Sequence, residues 1–487
     1  MMRKLGILAA AIALSGCVLP PKEAPHAREL RADNVGLTGA AVAVAADDWW
    51  LSFNDPQLDR LMRSGLKDSP TLAEAQARVG EALSQVQLAQ SRLAPQANFD
   101  GNVQYQHAPA NYLVPPPLAG HSFWLGQAGA SLGWDLDFWG KQADAVRSAR
   151  ALTQSAELEV DDARLMLAGA IAQAYVEFYR QRALADIAQR SEEQRQNIVD
   201  ITRRRVAAGL DTRLELRQAE GQLPQARVAR EQSLAAAELA VHELATLTGQ
   251  GAEAYGSIQA PSFNVDSALP VPSELPMNLL ARRPDVLAAR LNIEAADAER
   301  LAAKAAFYPD VNLRALAGIG AFGMSNLFNW NARSVGGGPA ISLPLFDGGR
   351  LKAEYRGREA ALDGAVAAYN DTVLHAVQQT ADQITRIDSL ARERTDQQLT
   401  VEANEAAYKL AEERYRAGLA SYLTVLNAET QVLAARQAMV DITSNQALAR
   451  ITLLLAVGGN FDSNRGADAS HQPATATSLG LTSQVSP

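Results

Sequence analysis

The sequence predicts an α+β membrane protein built from two internal repeats, each with one β-hairpin and a pair of long α-helices. The first observation is a duplication, because residues 205–229 match residues 414–438 at 11 of 25 positions. The second is that apolar and polar residues alternate in two segments, at about 96–137 and 310–346. The third is a proline-free helical pattern after each of these segments. A duplication of this length indicates the architecture of the protein and leaves its function open.

The first 17 residues have the features of a secretory signal that ends at a cysteine. Arg3 and Lys4 precede a short apolar run, which is too short to span a bilayer. Cys17, the only cysteine, resembles the lipobox cysteine of bacterial lipoproteins, and the alternative is a signal peptide that contains a cysteine by chance. The lipobox predicts that residues 1–16 are removed and that Cys17 is acylated. Val18 follows Cys17 in place of the Asp that favours inner-membrane retention in such lipoproteins, which implies delivery to the outer membrane, with residues 17–46 as a lipidated tether.

Charge and composition exclude several classes of function. The formal net charge is −9, and it becomes −11 (43 basic against 54 acidic residues) once Arg3 and Lys4 are removed. This acidic balance argues against a nucleic-acid partner. The six histidines show no ligand spacing, and no helix follows the glycine pattern at 318–323 as a dinucleotide site requires. We therefore expect no metal, no cofactor and no enzyme activity.

The alternating segments have the pattern of membrane strands. Residues 47–248 form the first repeat, with its hairpin at about 96–137, where the apolar positions from Ala97 to Tyr105 alternate with polar ones. This alternation is typical of a transmembrane barrel, although a soluble half-buried strand shows it too. Four tryptophans lie near the expected ends of the strands, as interfacial girdles require, although core packing explains each one equally well alone. They are Trp124, Trp134, Trp139 and Trp330.

Each hairpin is followed by two helices, the first of unusual length. The predicted pairs are 141–207 with 211–248 in the first repeat, and 351–416 with 420–457 in the second. A helix of this length extends for roughly 100 Å at about 1.5 Å per residue. This length exceeds the diameter of a compact domain. It therefore predicts a rod, a coiled coil or a tunnel wall. Pro224 is expected to bend its helix or to mark the region of its start.

The last helix carries two candidate seams at heptad spacing. One is apolar and predicts packing against a partner, whereas the other is largely small or polar and predicts contact with water; a solvated coiled-coil flank explains both equally well. The apolar seam consists of Leu426, Leu433, Val440, Ala447 and Leu454. The opposite seam consists of Leu423, Thr430, Gln437, Ser444 and Ile451.

The remaining segments complete the two-repeat organisation. Residues 249–276 are rich in Pro, Gly and Ser and predict a linker between the repeats. Residues 277–457 form the second repeat, with its hairpin at about 310–346, and residues 458–487 predict a disordered tail. Two hairpins supply four strands, which cannot close a barrel, and an open sheet edge is not tolerated in lipid. The chain must therefore oligomerise, and eight, twelve or sixteen strands are all permissible.

A series of motifs then occurs in order between Cys17 and Gly459. They are Trp49-Trp50 with Asp55-Pro56-Gln57-Leu58, Leu279-Leu280-Ala281-Arg282-Arg283-Pro284-Asp285, Ala305-Ala306-Phe307-Tyr308-Pro309, Leu343-Pro344-Leu345-Phe346-Asp347 and Arg414-Tyr415-Arg416-Ala417-Gly418. This series resembles the outer-membrane factor family, which includes the OprM/NodT-type efflux lipoproteins and, more distantly, TolC. The resemblance implies a homotrimer with a twelve-strand β-barrel, four strands per chain, in the outer membrane. A long periplasmic barrel of α-helices would continue it, with the linker in an equatorial belt.

The resemblance also implies a function and partners. The chain would be the exit duct of a tripartite efflux pump, gated at its periplasmic end and passively conducting drugs or other small toxic compounds. Its partners would be a periplasmic adaptor protein and an inner-membrane transporter of the resistance-nodulation-division class. Type I protein secretion and metal-ion efflux are alternative duties of such a duct. A periplasmic coiled-coil scaffold lipoprotein without a pore is a further alternative, which the alternating hairpins disfavour.

The resemblance assigns site residues to the two repeated turns. The adaptor-docking tips would be Ala208, Gly209 and Leu210 in one repeat and Ala417, Gly418 and Leu419 in the other. The periplasmic gate would comprise Arg414, Tyr415, Leu423 and Asn427 together with Leu214 and Gln218. Relatives commonly carry Asp where Asn427 stands, so we expect a gate ring without charge that binds cations weakly. The alternative is that Asn427 faces a neighbouring helix.

Overall fold

The structure is a computed structural model that describes residues 27–37, 39–40, 46, 48–111, 115–116, 118–262, 275–276 and 278–461. Within these residues lie eight α-helices and four β-strands. The helices are α1 (Pro56–Asp68), α2 (Pro70–Ser91), α3 (Lys141–Ala207), α4 (Arg213–Leu247), α5 (Leu279–Arg282), α6 (Pro284–Ala305), α7 (Arg350–Arg416) and α8 (Tyr422–Ala456). The strands are β1 (Gln96–His107), β2 (Ser122–Asp135), β3 (Asp310–Phe322) and β4 (Arg333–Ser342). Most of the expected signal, tether and tail segments, including Cys17, lies outside the described residues.

The four strands form one antiparallel sheet in the order β1-β2-β3-β4, so that the two hairpins lie side by side. β1 pairs with β2 from Gln96 opposite Gly133 to His107 opposite Ser122. Apolar side chains on alternate positions are exposed, among them Phe99 at 75%. Four strands per chain are therefore confirmed. β1 and β4 are the two edges of this sheet, and in lipid their backbone groups require pairing partners.

The last strand ends earlier than the sequence pattern predicted. Leu343 and Leu345 were expected to continue the return strand to residue 346, but β4 ends at Ser342. Pro344 has no N–H group to donate to a sheet ladder, which disfavours a longer strand. The chain then turns through Gly348 at φ +66° and enters α7. The expected strand end at residue 346 is therefore wrong.

The glycine pattern at 318–323 serves strand packing. Gly318 in β3 pairs with Gly129 in β2. A Cβ atom on Gly318 would lie only 2.8 Å from the carbonyl oxygen of Ala128. Glycine is therefore needed for the close approach of the two strands.

The long helices run without interruption. α3 and α7 each contain 67 residues, and α4 and α8 each contain 35. α4 begins after Thr212, which forms a capping box with Glu215. Pro224 lies inside α4, so it does not mark the helix start. Among the described residues, no helix is both long and apolar enough to cross a membrane.

The chain divides into two compact units, and these are not the two sequence repeats. One unit contains Glu74–Glu159 and Ala288–Thr372 and holds the β-sheet. The other contains Arg31–Ala73, Val160–Leu287 and the chain from Val373 onward, including both repeated turns. Each unit therefore draws on both repeats. The main apolar core lies in the second unit, where the largest buried side chains include Trp49, Trp50, Phe53, Ile171, Tyr175, Leu244 and Ile451.

The buried face of α8 differs from the predicted heptad seam. Near its start the buried residues are Tyr422, Val425, Glu429 and Val432, whereas Leu426 and Leu433 are only half-buried. Near its end the buried residues include Ser444, Ala447, Ile451 and Leu454. Ser444 and Ile451 belong to the seam that was expected to face water, so that expectation is wrong for them.

Candidate functional site

Both repeats turn at a glycine in the left-handed backbone conformation. Gly209 has φ +73° and Gly418 has φ +78°. The N–H of Leu210 donates to the carbonyl of Arg205 (2.9 Å), and the N–H of Leu419 donates to the carbonyl of Arg414 (2.8 Å). A hydrogen bond that spans six residues in this way is a common ending of an α-helix. It favours glycine at the position with positive φ, because other residues are strained there. The sequence repeat is therefore a repeated helix ending.

A tyrosine from the second repeat joins the two turns. Tyr415, in the last turn of α7, is fully buried. Its hydroxyl donates to Oδ2 of Asp211 at 2.7 Å and lies 2.8 Å from Oγ1 of Thr202. Asp211 belongs to the turn of the first repeat. One hydroxyl thus holds the end of α7 against the turn between α3 and α4.

Arg205 completes this contact, which we call the turn cluster (Thr202, Arg205, Asp211 and Tyr415). Its guanidinium reaches both Asp211 carboxylate oxygens, at 2.8 and 3.2 Å, and donates to the Tyr415 carbonyl at 2.8 Å. The guanidinium carbon also lies 4.7 Å from the centroid of the Tyr415 ring. The Arg205 and Asp211 side chains are only 12% and 11% exposed. Bidentate pairs of this kind are stronger than ordinary surface ion pairs.

The protonation states in the turn cluster are complementary. Burial alone raises the pKa of Asp211, but hydrogen bonds from Arg205 and Tyr415 and the charge of Arg205 outweigh it and lower that pKa below the ordinary 3.8. Burial first, and then the hydrogen bond to Asp211, raises the pKa of Tyr415 to about 12. At neutral pH a charged carboxylate therefore accepts from a protonated phenol.

The turn cluster is expected to persist from neutral pH down to about pH 4 and to weaken in stronger acid. Because the folded pKa of Asp211 is lowered, its stabilising contribution is complete above 3.8 and is lost as the pH falls through the lower folded value. In the duct that the resemblance implies, the expected readout is a conductance that stays low until the strongly acidic range. Asp211→Asn should remove this acid step. Opening of the unaltered channel between about pH 7 and pH 5 would contradict the assignment.

A second buried ion pair lies on α8. Glu429 is 4% exposed, and its Oε1 lies 2.8 Å from Nε of Arg195 on α3. The Ser191 hydroxyl lies 3.4 Å from the same oxygen, and Arg195 also donates to the carbonyl of Gln222 on α4 at 2.7 Å. Three helices are thereby joined close to the turns.

The two repeats differ in these polar contacts. Ala420 occupies the position in the second repeat that Asp211 occupies in the first. Asn404 stands in place of Arg195, and its amide reaches the carbonyl of Gln431, the counterpart of Gln222, at 3.5 Å. Asp211 and Arg195 of the first repeat therefore form ion pairs, whereas their counterparts in the second repeat, Ala420 and Asn404, carry no charge.

The other predicted gate residues lie on exposed helix faces. Leu214 and Leu423 are 64% and 58% exposed, and Gln218 and Asn427 follow them by one helical turn on the same faces. Asn427 is thus not covered by another helix of its own chain. Arg414 is also exposed and lies outside the turn cluster, which contains Tyr415 instead. The predicted docking tips are exposed as well, namely Ala208, Gly209, Leu210, Ala417, Gly418 and Leu419.

The four predicted girdle tryptophans are all exposed at the surface. Near the helix ends, the Trp134 indole donates to the Leu93 carbonyl, and the Trp139 indole donates to the Pro309 carbonyl. Near the loop ends, Trp124 lies 5.2 Å from Tyr105 between ring centroids. Trp330 packs under the guanidinium of Arg333 at 3.3 Å. Each ring is thus oriented at the surface by a neighbour and is not part of a core.

Sequence reasoning missed several residues of the site. Asp211 differed from Ala420 within otherwise matching turns, and that difference was a usable signal for a special role. Arg205 matched Arg414 in the repeat, so nothing in the pattern set it apart. Glu429 and Arg195 are 234 residues apart in the sequence, and only the fold brings them together.

Comparison with known proteins identifies the family. A family model described as outer membrane efflux protein matches residues 61–250 and 275–459. The chain belongs to this family. The fusaric acid resistance protein FusA of Burkholderia cepacia is 35% identical over 362 residues, which cover 72% of this chain and 68% of that protein. The multidrug resistance outer membrane protein MdtP of Escherichia coli K12 is 31% identical over 472 residues, covering 93% and 96%.

A solved structure agrees with this assignment. The outer membrane protein VceC of Vibrio cholerae superposes with a TM-score of 0.80 and 32% identity, covering 86% of this chain and all of that one. The predicted fold class is confirmed, since structural relatives of this outer membrane efflux protein are trimeric channels. It is a channel of the outer membrane that extends into the periplasm, and a scaffold without a pore is excluded. Channels of this family work as trimers with an adaptor and an inner-membrane pump.

Proposed function

We propose that this outer membrane efflux protein is the homotrimeric exit duct of a tripartite pump, passively conducting drugs or other small toxic compounds, and that it is not an enzyme. The partners are a periplasmic adaptor protein and an inner-membrane transporter of the resistance-nodulation-division class. Relatives named for fusaric acid resistance and for multidrug resistance support a cargo of small toxic compounds. They favour this cargo over proteins or metal ions.

The observation that best supports a gate in this duct is the hydrogen bond between Tyr415 and Asp211. It connects the ends of the two helical hairpins, so that separating them requires breaking a buried, charge-assisted contact. Leu423 and Asn427 lie on the exposed face of α8 just beyond this contact. We therefore assign the closed state of the gate to the turn cluster, with these two exposed side chains facing the channel axis.

Planar-bilayer recording of the purified trimer tests the proposal. We expect discrete single channels of low conductance, with a larger conductance once the turn cluster is disrupted. A preparation that forms no channels, both unaltered and with a disrupted cluster, would refute the duct. The cargo class is tested in cells that lack the chain. We expect these cells to lose drug tolerance and to regain it when the unaltered chain is expressed.

The N-terminal tether and the tryptophans support anchoring in the outer membrane. The N–H of Ala27 donates to Asp363, which follows the start of α7 by 13 residues, or roughly 20 Å. The ten-residue step from Cys17 to Ala27 spans at most about 34 Å, which is long enough for an acylated Cys17 to be anchored at the sheet end of α7. Palmitate labelling that survives Cys17→Ser would contradict this anchor. Quenching of the exposed tryptophans by brominated lipid tests the girdles.

The repeated turns are proposed as the adaptor-docking tips. Leu210 and Leu419 are 64% and 75% exposed there, beside the exposed Ala208 and Ala417, so each turn offers an apolar contact surface to a partner. Leu210→Asp and Leu419→Asp are expected to abolish efflux and adaptor crosslinking while leaving the purified channel folded and conducting. Leu239→Asp on α4, another exposed leucine, is the matched control. Efflux that survives both turn substitutions would refute docking at these leucines.

Replacing Asn427 with Asp tests the uncharged gate ring. Three carboxylates in a trimer would attract cations, whereas three amides carry no charge. We expect Asn427→Asp to increase block by divalent cations and to make conductance depend on pH. Gln218→Glu, at the equivalent position of the first repeat, is the comparison. Unchanged cation block and selectivity in Asn427→Asp would show that this side chain does not line the gate.

A further inference from the structure

The loop between β3 and β4 packs against the apolar face of the sheet, which carries the exposed Phe99 and Trp124. This is the face that contacts lipid in a membrane barrel. Gly126 follows Trp124 by two residues on β2 and therefore lies on the same face. A Cβ atom on Gly126 would lie 3.2 Å from Cδ2 of Leu327, a loop residue that is 6% exposed. The N–H of Gly323 also donates to the Trp124 carbonyl at 2.7 Å, so the loop is held on the lipid-facing side.

The same face carries an arginine at the start of β4, next to this loop. Arg333 is paired with Ile319 in β3, and Ile319 is paired with Ala128 in β2. Ala128 is in phase with Trp124, so the Arg333 side chain belongs to the apolar face. Its guanidinium carbon lies 3.3 Å from the centroid of the Trp330 ring, and both side chains are exposed. The cation–π contact holds the guanidinium at the lipid-facing surface.

No carboxylate is available to Arg333 from the hairpins of its own chain or of its neighbours in the trimer. The sequence contains no Asp or Glu at 101–134 or at 311–346, ranges that include both hairpin loops and all of β4. Asp100 on β1 is paired with Gly129, which is out of phase with the apolar face. Because the three chains are identical, a neighbouring hairpin brings no acidic residue to that face either. The protein therefore supplies no counter-ion at this point of its lipid-facing surface.

The position of Arg333 indicates where its counter-ion comes from. The hairpin loops lie at the end of the sheet opposite the helices, and the helices extend into the periplasm, so this end meets the outer leaflet. An arginine on the lipid face is costly at the centre of a bilayer but is tolerated at the headgroups. Trp330 and Phe328, 75% and 83% exposed, are also suited to that level. The anion present there is the phosphate of a lipid, which a guanidinium binds through parallel hydrogen bonds.

We propose that each chain of the trimer carries a binding site for the phosphate of an outer-leaflet lipid. Arg333 contacts the phosphate, Trp330 orients the guanidinium and, with Phe328, contacts the apolar part of the lipid. Leu327 fixes the loop that places these rings. The site is separate from the gate and the docking tips, and it gives the outer girdle a preference for charged lipid that tryptophans alone do not have.

Native mass spectrometry of the full-length trimer in detergent tests the site, with lipid A that carries two phosphates as the probe. The same lipid after enzymatic removal of both phosphates is the matched ligand. We expect the phosphorylated form to bind more tightly and Arg333→Gln to weaken its binding about tenfold, as loss of a charge-assisted contact implies. Arg314→Gln is the matched control and should leave binding unchanged. Arg314 is paired with Gly133 and belongs to the polar face of the sheet.

Two further measurements complete the test. Trp330→Leu keeps an apolar side chain but removes the cation–π contact, and it should weaken binding about threefold. A large excess of inorganic phosphate should not displace the lipid, because it lacks the apolar part. The same spectra report the mass of the trimer, so a variant that fails to assemble is recognised directly.

Several results would overturn the site. Equal binding of the phosphate-free lipid, or unchanged binding in Arg333→Gln, would show that the guanidinium does not recognise phosphate. An equal loss in Arg314→Gln would assign the effect to net charge. Displacement by inorganic phosphate would show that the site does not select a lipid.

Discussion

Tyr415→Phe is expected to open the periplasmic end of the channel and to raise its resting conductance severalfold. The substitution keeps the buried ring but removes the hydroxyl that contacts Asp211 and Thr202. A hydrogen bond to a charged group contributes roughly 1.5–3 kcal/mol. Its loss therefore shifts the balance between closed and open states by at least about tenfold in each chain. Single-channel recording and sensitivity of cells to large antibiotics are the measurements.

Tyr422→Phe is the matched control for this prediction. Tyr422 is 3% exposed, and its ring lies 6.3 Å from that of Tyr415, but its hydroxyl makes no hydrogen bond within the described part of the chain. Its replacement should leave conductance unchanged. If both phenylalanine variants opened the channel equally, the cause would be looser packing and the latch role of Tyr415 would be wrong.

The sequence predicted the elements of the fold because each has a local signal. Alternation from Ala97 to Tyr105 marks a strand whatever it packs against, and β1 covers that stretch. Gly209 and Gly418 mark helix ends because their backbone conformation is a local requirement. The end of β4 was placed too late because Leu343 and Leu345 continued the alternation while Pro344 interrupted the ladder.

The buried face of α8 was misjudged because a heptad does not follow a straight helix. An α-helix has 3.6 residues per turn, so a strict seven-residue repeat drifts about 20° with each heptad. Residues 22 positions apart are about six turns apart and share a face. Val425 and Ala447 are related in this way, as are Tyr422 and Ser444, and all four are buried. Ser444 is buried because of its angular position and not because of its polarity.

The polar contacts of the site could not be predicted from the sequence because they join distant segments. Tyr415 was assigned to the gate only by its resemblance to the family motif, and its partner Asp211 lies 204 residues away. Charged residues are common on every helix of this chain. Neither Glu429 nor its repeat counterpart Glu220 has a sequence context that indicates which of the two is buried.

The difference between these two glutamates gives a further prediction with a large effect. In Glu429→Ala the guanidinium of Arg195, whose side chain is 12% exposed, loses its carboxylate. Breaking a buried pair by removing one partner costs about 3–5 kcal/mol, because the other charge stays buried. Glu220→Ala, in the first repeat, breaks surface pairs with Arg217 and Arg203, which are 82% and 56% exposed. That loss is expected to cost at most about 1 kcal/mol.

The comparison is made on trimers by guanidinium unfolding followed through helical circular dichroism. Glu429→Ala should unfold at clearly lower denaturant than Glu220→Ala. The double variant Arg195→Met/Glu429→Leu should recover most of the loss, because it leaves no charge uncompensated. Similar losses in the two alanine variants would show that the Arg195–Glu429 pair is effectively solvated. Recovery of stability with a raised resting conductance would show that the pair, like the turn cluster, restrains α8 in the closed position as well as stabilising it.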